Sequence, residues 1–264
     1  MKIKLSIFVI TLFCVQVSAQ QTSLIPATTF VAGNARKVHV FLLIGQSNMV
    51  GRDTNGIKTQ TIDQRIAYLN NSDHLQVAIE PMHHGGSGMG PGIPFALQMI
   101  KNYPNQQIIL VPCAVGGTPL SRWVKGADLY ERAIKRAKIA MAMGALDGVI
   151  WHQGESDSND AELAQSYQSR LVQMFTDLRA DLGMPNLPIV VGQLGEFVKY
   201  PYSDVVKTAI KQMPEKLPEV AFVDSNGLTD KGDHLHFNTA SQQQFGERYA
   251  AAMLALLPSS SKNE

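Results

Sequence analysis

The most constraining feature of this chain is the stretch VHVFLLIGQSNMVG at residues 38–51, where an apolar, β-branched run stops abruptly at Gly45, Gln46, Ser47 and Asn48. Such a run, lacking polar alternation, reads as a strand buried on both faces, as happens when helices cover both sides of a parallel sheet. Ser47 then falls just past the strand's carboxyl end, where open α/β sheets gather their chemistry. On these residues alone Ser47 reads equally well as a helix cap, because Ser is a favoured capping residue.

The rest of the chain repeats the pattern. Short strands are expected at 65–69 and 75–79, and buried strands at 107–113, 147–151, 188–193 and 220–224. Between them, helical spacing runs over 93–102, 128–143, 160–182, 202–213 and 239–256; Leu163, Tyr167, Leu171, Met174, Phe175 and Leu178 form one apolar stripe. Strand–helix alternation predicts a mainly parallel, five-stranded sheet with helices on both faces, in one domain over 38–257. With 264 residues, 45% of them hydrophobic, the chain can bury such a core. Its 23 Lys and Arg balance 22 Asp and Glu and form no basic cluster, so nucleic acid is not an expected partner. The oligomeric state has no signature, and a monomer suffices.

The first residues read as an address rather than as structure. Lys2 and Lys4 precede an apolar stretch at 5–17, and Val17-Ser18-Ala19 offers small residues for cleavage. Residues 1–19 are therefore expected to be a signal peptide cut after Ala19, giving a periplasmic or secreted protein. The apolar stretch is short for a membrane span and no later one replaces it, so stable membrane insertion is not expected. Phe13 before Cys14 is a poor context for a lipid-anchored cysteine. Residues 20–37 form a polar lead-in and 258–264 a polar tail. After cleavage Cys113 is the only cysteine, which excludes an intrachain disulfide; within IILVPCAV it reads as a small buried residue rather than a catalytic thiol.

Four segments of small and polar residues stand at expected strand ends: 45–48, 116–118, 152–155 and the 224–236 loop. In a parallel sheet these ends share one edge. Asp233 and His236 are three residues apart, so on a tight turn they lie on the same side. A carboxylate there can hold the imidazole by its Nδ1 hydrogen and leave Nε2 as a general base, which a serine such as Ser47 needs to become a nucleophile. The Gly- and Pro-rich loop at 81–94 lacks G-x-G-x-x-G spacing and a leading strand, so it is not a dinucleotide loop.

In order, GQSNM at 45–49, GGT at 116–118, HQGE with a following Asp at 152–157 and D-x-x-H at 233–236 resemble the blocks of the SGNH-hydrolase superfamily. The resemblance is to its sialate O-acetylesterase-like and carbohydrate esterase family six branch, and spans residues 38–256. It implies a three-layer α/β/α, flavodoxin-like fold and a cofactor-free, metal-free carbohydrate acetylesterase acting on acetylated polysaccharide, oligosaccharide or sialic acid. By matching position it implies Ser47 as nucleophile, His236 as base and Asp233 as its orienting carboxylate. It further implies an oxyanion hole of the Ser47 and Gly117 backbone N–H groups plus the Gln153 side-chain amide. The α/β-hydrolase elbow, G-x-S-x-G, fails because Met49 stands at its last position.

Other polar residues divide between substrate binding and loop bracing. Gln46, Asn48, Arg52, His152 and Glu155 fit either role, bracing being the simpler for Glu155 and Asp157, and Asn48 reads as a turn residue rather than a catalytic one. Trp123 is a candidate to stack on a sugar ring, with Arg122 beside it, and His234 is expected at the solvent. His83, His84, Asp233, His234 and His236 supply zinc-type donors but lack ligand spacing. A lipase- or thioesterase-type hydrolase acting on other acyl esters and a carbohydrate-binding protein without catalysis are the competing functions. The loops that would choose a sugar, at 52–64, 81–94 and 194–202, carry no readable code.

Overall fold

A computed structural model describes residues 38–258. The expected signal peptide, lead-in and all but the first residue of the tail lie outside the described residues. Seven strands form a single sheet: β1 (Val38–Gly45), β2 (Ile66–Leu69), β3 (Leu75–Val77), β4 (Gln107–Pro112), β5 (Ala145–His152), β6 (Ile189–Gly192) and β7 (Val220–Val223). Their order is β3-β2-β4-β1-β5-β6-β7, and every pair is parallel except β2–β3. The chain runs out to one edge, returns through β4 beside β1, and crosses to the other side through β5. The reversal occurs around β1, the position at which doubly wound sheets open a crevice.

The sheet has two strands more than the five expected. Residues 66–69 pair in parallel with β4, through Ile66 with Ile108 and Tyr68 with Leu110, and 75–77 fold back on them as an antiparallel edge. A tight turn makes this fold-back local: the Asn70 side chain accepts the Ser72 and His74 N–H groups.

The helices are α1 (Ser47–Val50), α2 (Gly92–Asn102), α3 (Asp128–Met141), α4 (Ala161–Leu182), α5 (Ser203–Lys211), α6 (Met213–Lys216) and α7 (Thr239–Leu256). Alternate residues of β1 face two separate cores. Val40, Leu42 and Ile44 pack with α3, α4 and α5, whereas Phe41 and Leu43 pack with α2 and α7. All eight residues of β1 are buried, as expected for a strand covered on both faces. The Asp160 side chain caps α4 by accepting the Leu163 N–H, and Asn238 caps α7 in the same way through Ser241. Cys113 is buried in the α3–α4 core, and burial pushes its thiol up to about 11.

One buried carboxylate gives the fold a pH signature. Glu80 is 3% exposed, and burial raises its pKa to about 7 although the Met82 and Gly90 N–H groups donate to it. Its unfolded value is lower, so between about pH 4.5 and 7 the folded state holds a proton that the unfolded state has released, and stability falls as pH rises. Relative to the native protein, Glu80→Gln should gain about 3 kcal/mol in unfolding free energy between pH 4.5 and 7.5. Urea unfolding of both proteins at the two pH values checks this, and a difference independent of pH refutes it.

Candidate active site

Ser47 is the first residue of α1, directly after the β1–β5 ladder ends with the Gln46 N–H donating to the His152 carbonyl at 2.9 Å. The 228–238 loop carries His236 across to it. His236 Nε2 stands 3.0 Å from Ser47 Oγ, and His236 Nδ1 stands 2.7 Å from Asp233 Oδ2. Asp233 Oδ1 also accepts the His236 and Leu235 N–H groups at 2.8 and 3.1 Å, closing the turn that sets the D-x-x-H geometry. Lys231 Nζ lies 3.0 Å from Asp233 Oδ2. Partial burial opposes the charge of Asp233. The His236 backbone and ring, Lys231 and Leu235 outweigh it and hold the carboxyl well below the usual carboxylate range.

Asn48 locks this loop to the nucleophile turn. Its Nδ2 donates to the Leu235 carbonyl at 3.0 Å and to Glu155 Oε1 at 2.5 Å, and its Oδ1 accepts the Phe237 N–H at 3.1 Å. The residue after Ser47 thus grips both chain neighbours of His236. Gln242 of α7 donates to the Asn48 carbonyl, securing the other side. Glu155 is buried; burial disfavours its charge, but the His152 ring and the Asn48 amide prevail and keep its pKa below the ordinary value. His152 is buried behind them, with Nδ1 2.9 Å from Tyr249 Oη and its ring edge-on to Phe237 and Phe245. Asn48, read as a turn residue, is therefore the fastener of the relay, with Glu155 as its anchor.

A cleft of about 350 Å³ opens over Ser47, lined by Gln46, Arg52, Gly117, Glu155 and His236 among others. Gly117 has a φ of +70°, a backbone conformation that favours glycine, and a Cβ there would project into open space at the cleft wall. Among the described residues neither the Ser47 nor the Gly117 N–H donates to a protein acceptor. Both are free for an incoming oxygen.

Gln153 differs from expectation. It is fully buried, and its Nε2 lies 2.7 Å from Asp157 Oδ2, 3.1 Å from the Thr118 carbonyl and 3.2 Å from Gln46 Oε1. An amide carries only two N–H groups, so these acceptors exhaust it and it does not face the cleft. Asp157 turns it inward: this buried carboxylate also accepts the Leu120 N–H and pairs with Arg170 at 2.8 Å. Gln153 and Asp157 are thus braces beneath the cleft floor, and Gln46 joins them by accepting from the Ser156 N–H.

Trp123 is a second correction. It is 1% exposed, packs edge-on to Trp151 and donates Nε1 to Thr118 Oγ1 at 3.2 Å, so no sugar reaches its face. The 3₁₀ turn at Leu120–Arg122 points it into the α3–α4 core, and Arg122 pairs with Asp128 at the surface. His234 faces solvent as expected. His83 is buried and is not among the residues lining the cleft; burial and the charges of Arg136, Arg132 and Arg52 push its pKa down to about 3. Among the described residues no three His, Cys, Asp or Glu side chains are grouped to hold a metal ion. Tyr200, Ser156, Asn159 and Leu235 also line the cleft and were not singled out from the sequence, although Ser156 and Leu235 lie inside recognisable blocks.

The sequence model of the family described as "Carbohydrate esterase, sialic acid-specific acetylesterase" matches residues 37–255. The chain belongs to this family. A probable carbohydrate esterase of Arabidopsis thaliana is 36% identical over 241 residues, covering 82% of this chain and 90% of the relative. A solved structure of an Arabidopsis thaliana protein matches with a TM-score of 0.75 at 34% identity, covering 82% of this chain and 98% of that one. The structure of NanS aligns with a TM-score of 0.69 at 18% identity, covering 83% and 97% of the two chains, and supports the fold. As a member of the carbohydrate esterase family the protein is a carboxylic ester hydrolase, built on the α/β architecture its sequence blocks imply.

Proposed function

We propose that the cleft removes O-acetyl groups from carbohydrates through an acyl-enzyme on Ser47. The observation that carries this reading is the unbroken relay from Asp233 through His236 to Ser47 at the cleft floor. His236 Nε2 takes the Ser47 proton as Oγ attacks the acetyl carbonyl carbon, and the carbonyl π pair moves onto oxygen. The Ser47 and Gly117 N–H groups hold that oxyanion. Collapse re-forms the C=O bond, breaks the ester C–O bond and passes the His236 proton to the departing sugar oxygen. Water, activated by the same His236, then adds to the acyl carbon, and acetate leaves as Oγ recovers its proton. Asp233, ionised and hydrogen-bonded to Nδ1, fixes the ring's orientation and stabilises the imidazolium at each stage.

The family description and the Arabidopsis relative support a sugar as the alcohol, and the cleft's modest volume supports a small acyl group. Residues 1–19 support export of the enzyme. The test is acetate release from O-acetylated sialosides and acetylated xylo-oligosaccharides, beside p-nitrophenyl acetate, butyrate and octanoate, all with EDTA. Sugar deacetylation should persist in EDTA, and acetate should be preferred over octanoate by roughly 10-fold or more. Faster hydrolysis of the octanoate ester, or loss of activity to EDTA, would contradict the reading.

A further inference from the structure

The GGT block contains two glycines with different physical reasons, and the first leads to an unassigned catalytic group. Gly117 is explained by its φ, but Gly116 has no positive φ. What fills the space beside it is Arg52: a Cβ on residue 116 would lie 2.0 Å from Arg52 Nη2. The same point is 3.7 Å from Ser47 Cβ, so the guanidinium edge, the nucleophile and the Gly116–Gly117 backbone converge on one corner of the cleft.

Arg52 is held there without being neutralised. Its Nη1 donates to the Gly85 carbonyl at 3.1 Å in the glycine-rich loop, and Asp53 next to it ties the segment to the start of α7 by accepting the Thr239 N–H at 2.8 Å. Among the described residues no carboxylate pairs with Arg52, and Nη2 has no protein acceptor. Partial burial disfavours its charge. An unpaired, partly desolvated cation beside a nucleophile waits for negative charge to arrive or to develop. Meanwhile the Gln153 amide is spent beneath the floor, leaving the oxyanion with two backbone donors and no side-chain donor.

We propose that Arg52 Nη2 is the third oxyanion donor, a catalytic residue that takes the place of a side-chain amide and carries a full charge. The proposal rests on the serine-esterase reading. As Ser47 Oγ bonds to the acyl carbon, the electron pair displaced onto oxygen is met by the Ser47 N–H, the Gly117 N–H and an Arg52 N–H together. When the oxyanion collapses, its electron pair re-forms C=O, the departing oxygen takes the C–O pair and the His236 proton and leaves as neutral alcohol, and Arg52 is free for the second addition. On this account Gly116 exists to leave room for the guanidinium. A handle for an anionic group on the sugar is the other use of such a cation, but it would not require the guanidinium to press against Gly116.

Steady-state kinetics on p-nitrophenyl acetate separates these cases, because the substrate is neutral and has no group for a handle to bind. Arg52→Met should lower kcat by about 100-fold or more, with KM changed less than about threefold. Arg52→Lys keeps the cation and should recover part of the loss. Gly116→Ala, which pushes a methyl into the guanidinium, should lower kcat in the native background and cause no further loss in Arg52→Met, the behaviour of two changes acting on one interaction. If Arg52→Met keeps its kcat while Ser47→Ala is inactive, or loses only in KM, or if the two losses add, the assignment of Arg52 is wrong and the serine mechanism stands. If Ser47→Ala stays active, the serine reading itself falls.

Discussion

Ser47→Ala should reduce kcat on p-nitrophenyl acetate by at least about 10⁴-fold while leaving the melting temperature close to that of the native protein. The two halves of this expectation have separate causes. Activity collapses because the acyl group has no oxygen to transfer to, and His236 and the backbone donors alone can only assist water. Stability survives because the Ser47 hydroxyl makes a single hydrogen bond, to His236 Nε2, whose loss costs about 1 kcal/mol. The hydroxyl is not part of the network that holds the loop. Kinetics and thermal unfolding on one preparation check both halves, and a variant within tenfold of native kcat would remove Ser47 as nucleophile.

Asn48→Ala, one residue further on, should lose both. Truncation leaves the Phe237 N–H, the Leu235 carbonyl and the Glu155 carboxylate without their Asn48 partners inside the protein. Each orphaned buried group costs about 1–3 kcal/mol, so unfolding free energy should drop by about 3 kcal/mol or more. The same bonds register His236 on Ser47, and a base displaced by an ångström costs about 100-fold in kcat. Asn48→Asp keeps the shape and the Oδ1 acceptor but replaces the donor with a carboxylate facing Glu155 across the former 2.5 Å bond. It should therefore be destabilised more at neutral than at mildly acidic pH. Denaturant unfolding at two pH values with parallel kinetics tests this; native stability in Asn48→Ala would show that the 235–237 segment is held by something else.

The contrast between these neighbours shows what the sequence can and cannot convey. Ser47 was readable because strand β1 has a buried-both-faces pattern that ends at a defined residue, and parallel topology then sends the ends of β1, β4 and β5 to one edge. Asp233 and His236 were readable because their pairing is local, a matter of three residues on one turn. Asn48 was readable only as a candidate for bracing or for a turn, since its three partners lie 107 to 189 residues away and no periodicity encodes a contact of that span. Gln153 departs from expectation for a related reason. Standing at a strand end says that a residue is near the site, but which way its side chain turns was decided by Asp157, which accepts from its Nε2, and by Tyr167 on α4, whose hydroxyl donates to its Oε1. Trp123 followed a polar loop and suggested exposure, yet one 3₁₀ turn was enough to rotate it into the core. Strands β2 and β3 were legible as short segments, whereas their membership of the main sheet depends on pairing with β4, which is again non-local.

The central claim is that Ser47 is the covalent nucleophile, and the most direct measurement is labelling by a neutral p-nitrophenyl methylphosphonate ester. Its phosphorus accepts the same attack as the acetyl carbon and gives an adduct that water releases slowly. The account predicts one phosphonyl group per chain, mapped by peptide mass spectrometry to Ser47, with esterase activity lost in proportion and no adduct in Ser47→Ala. Full activity after exposure to excess reagent, or inactivation with the adduct on another residue, would contradict it.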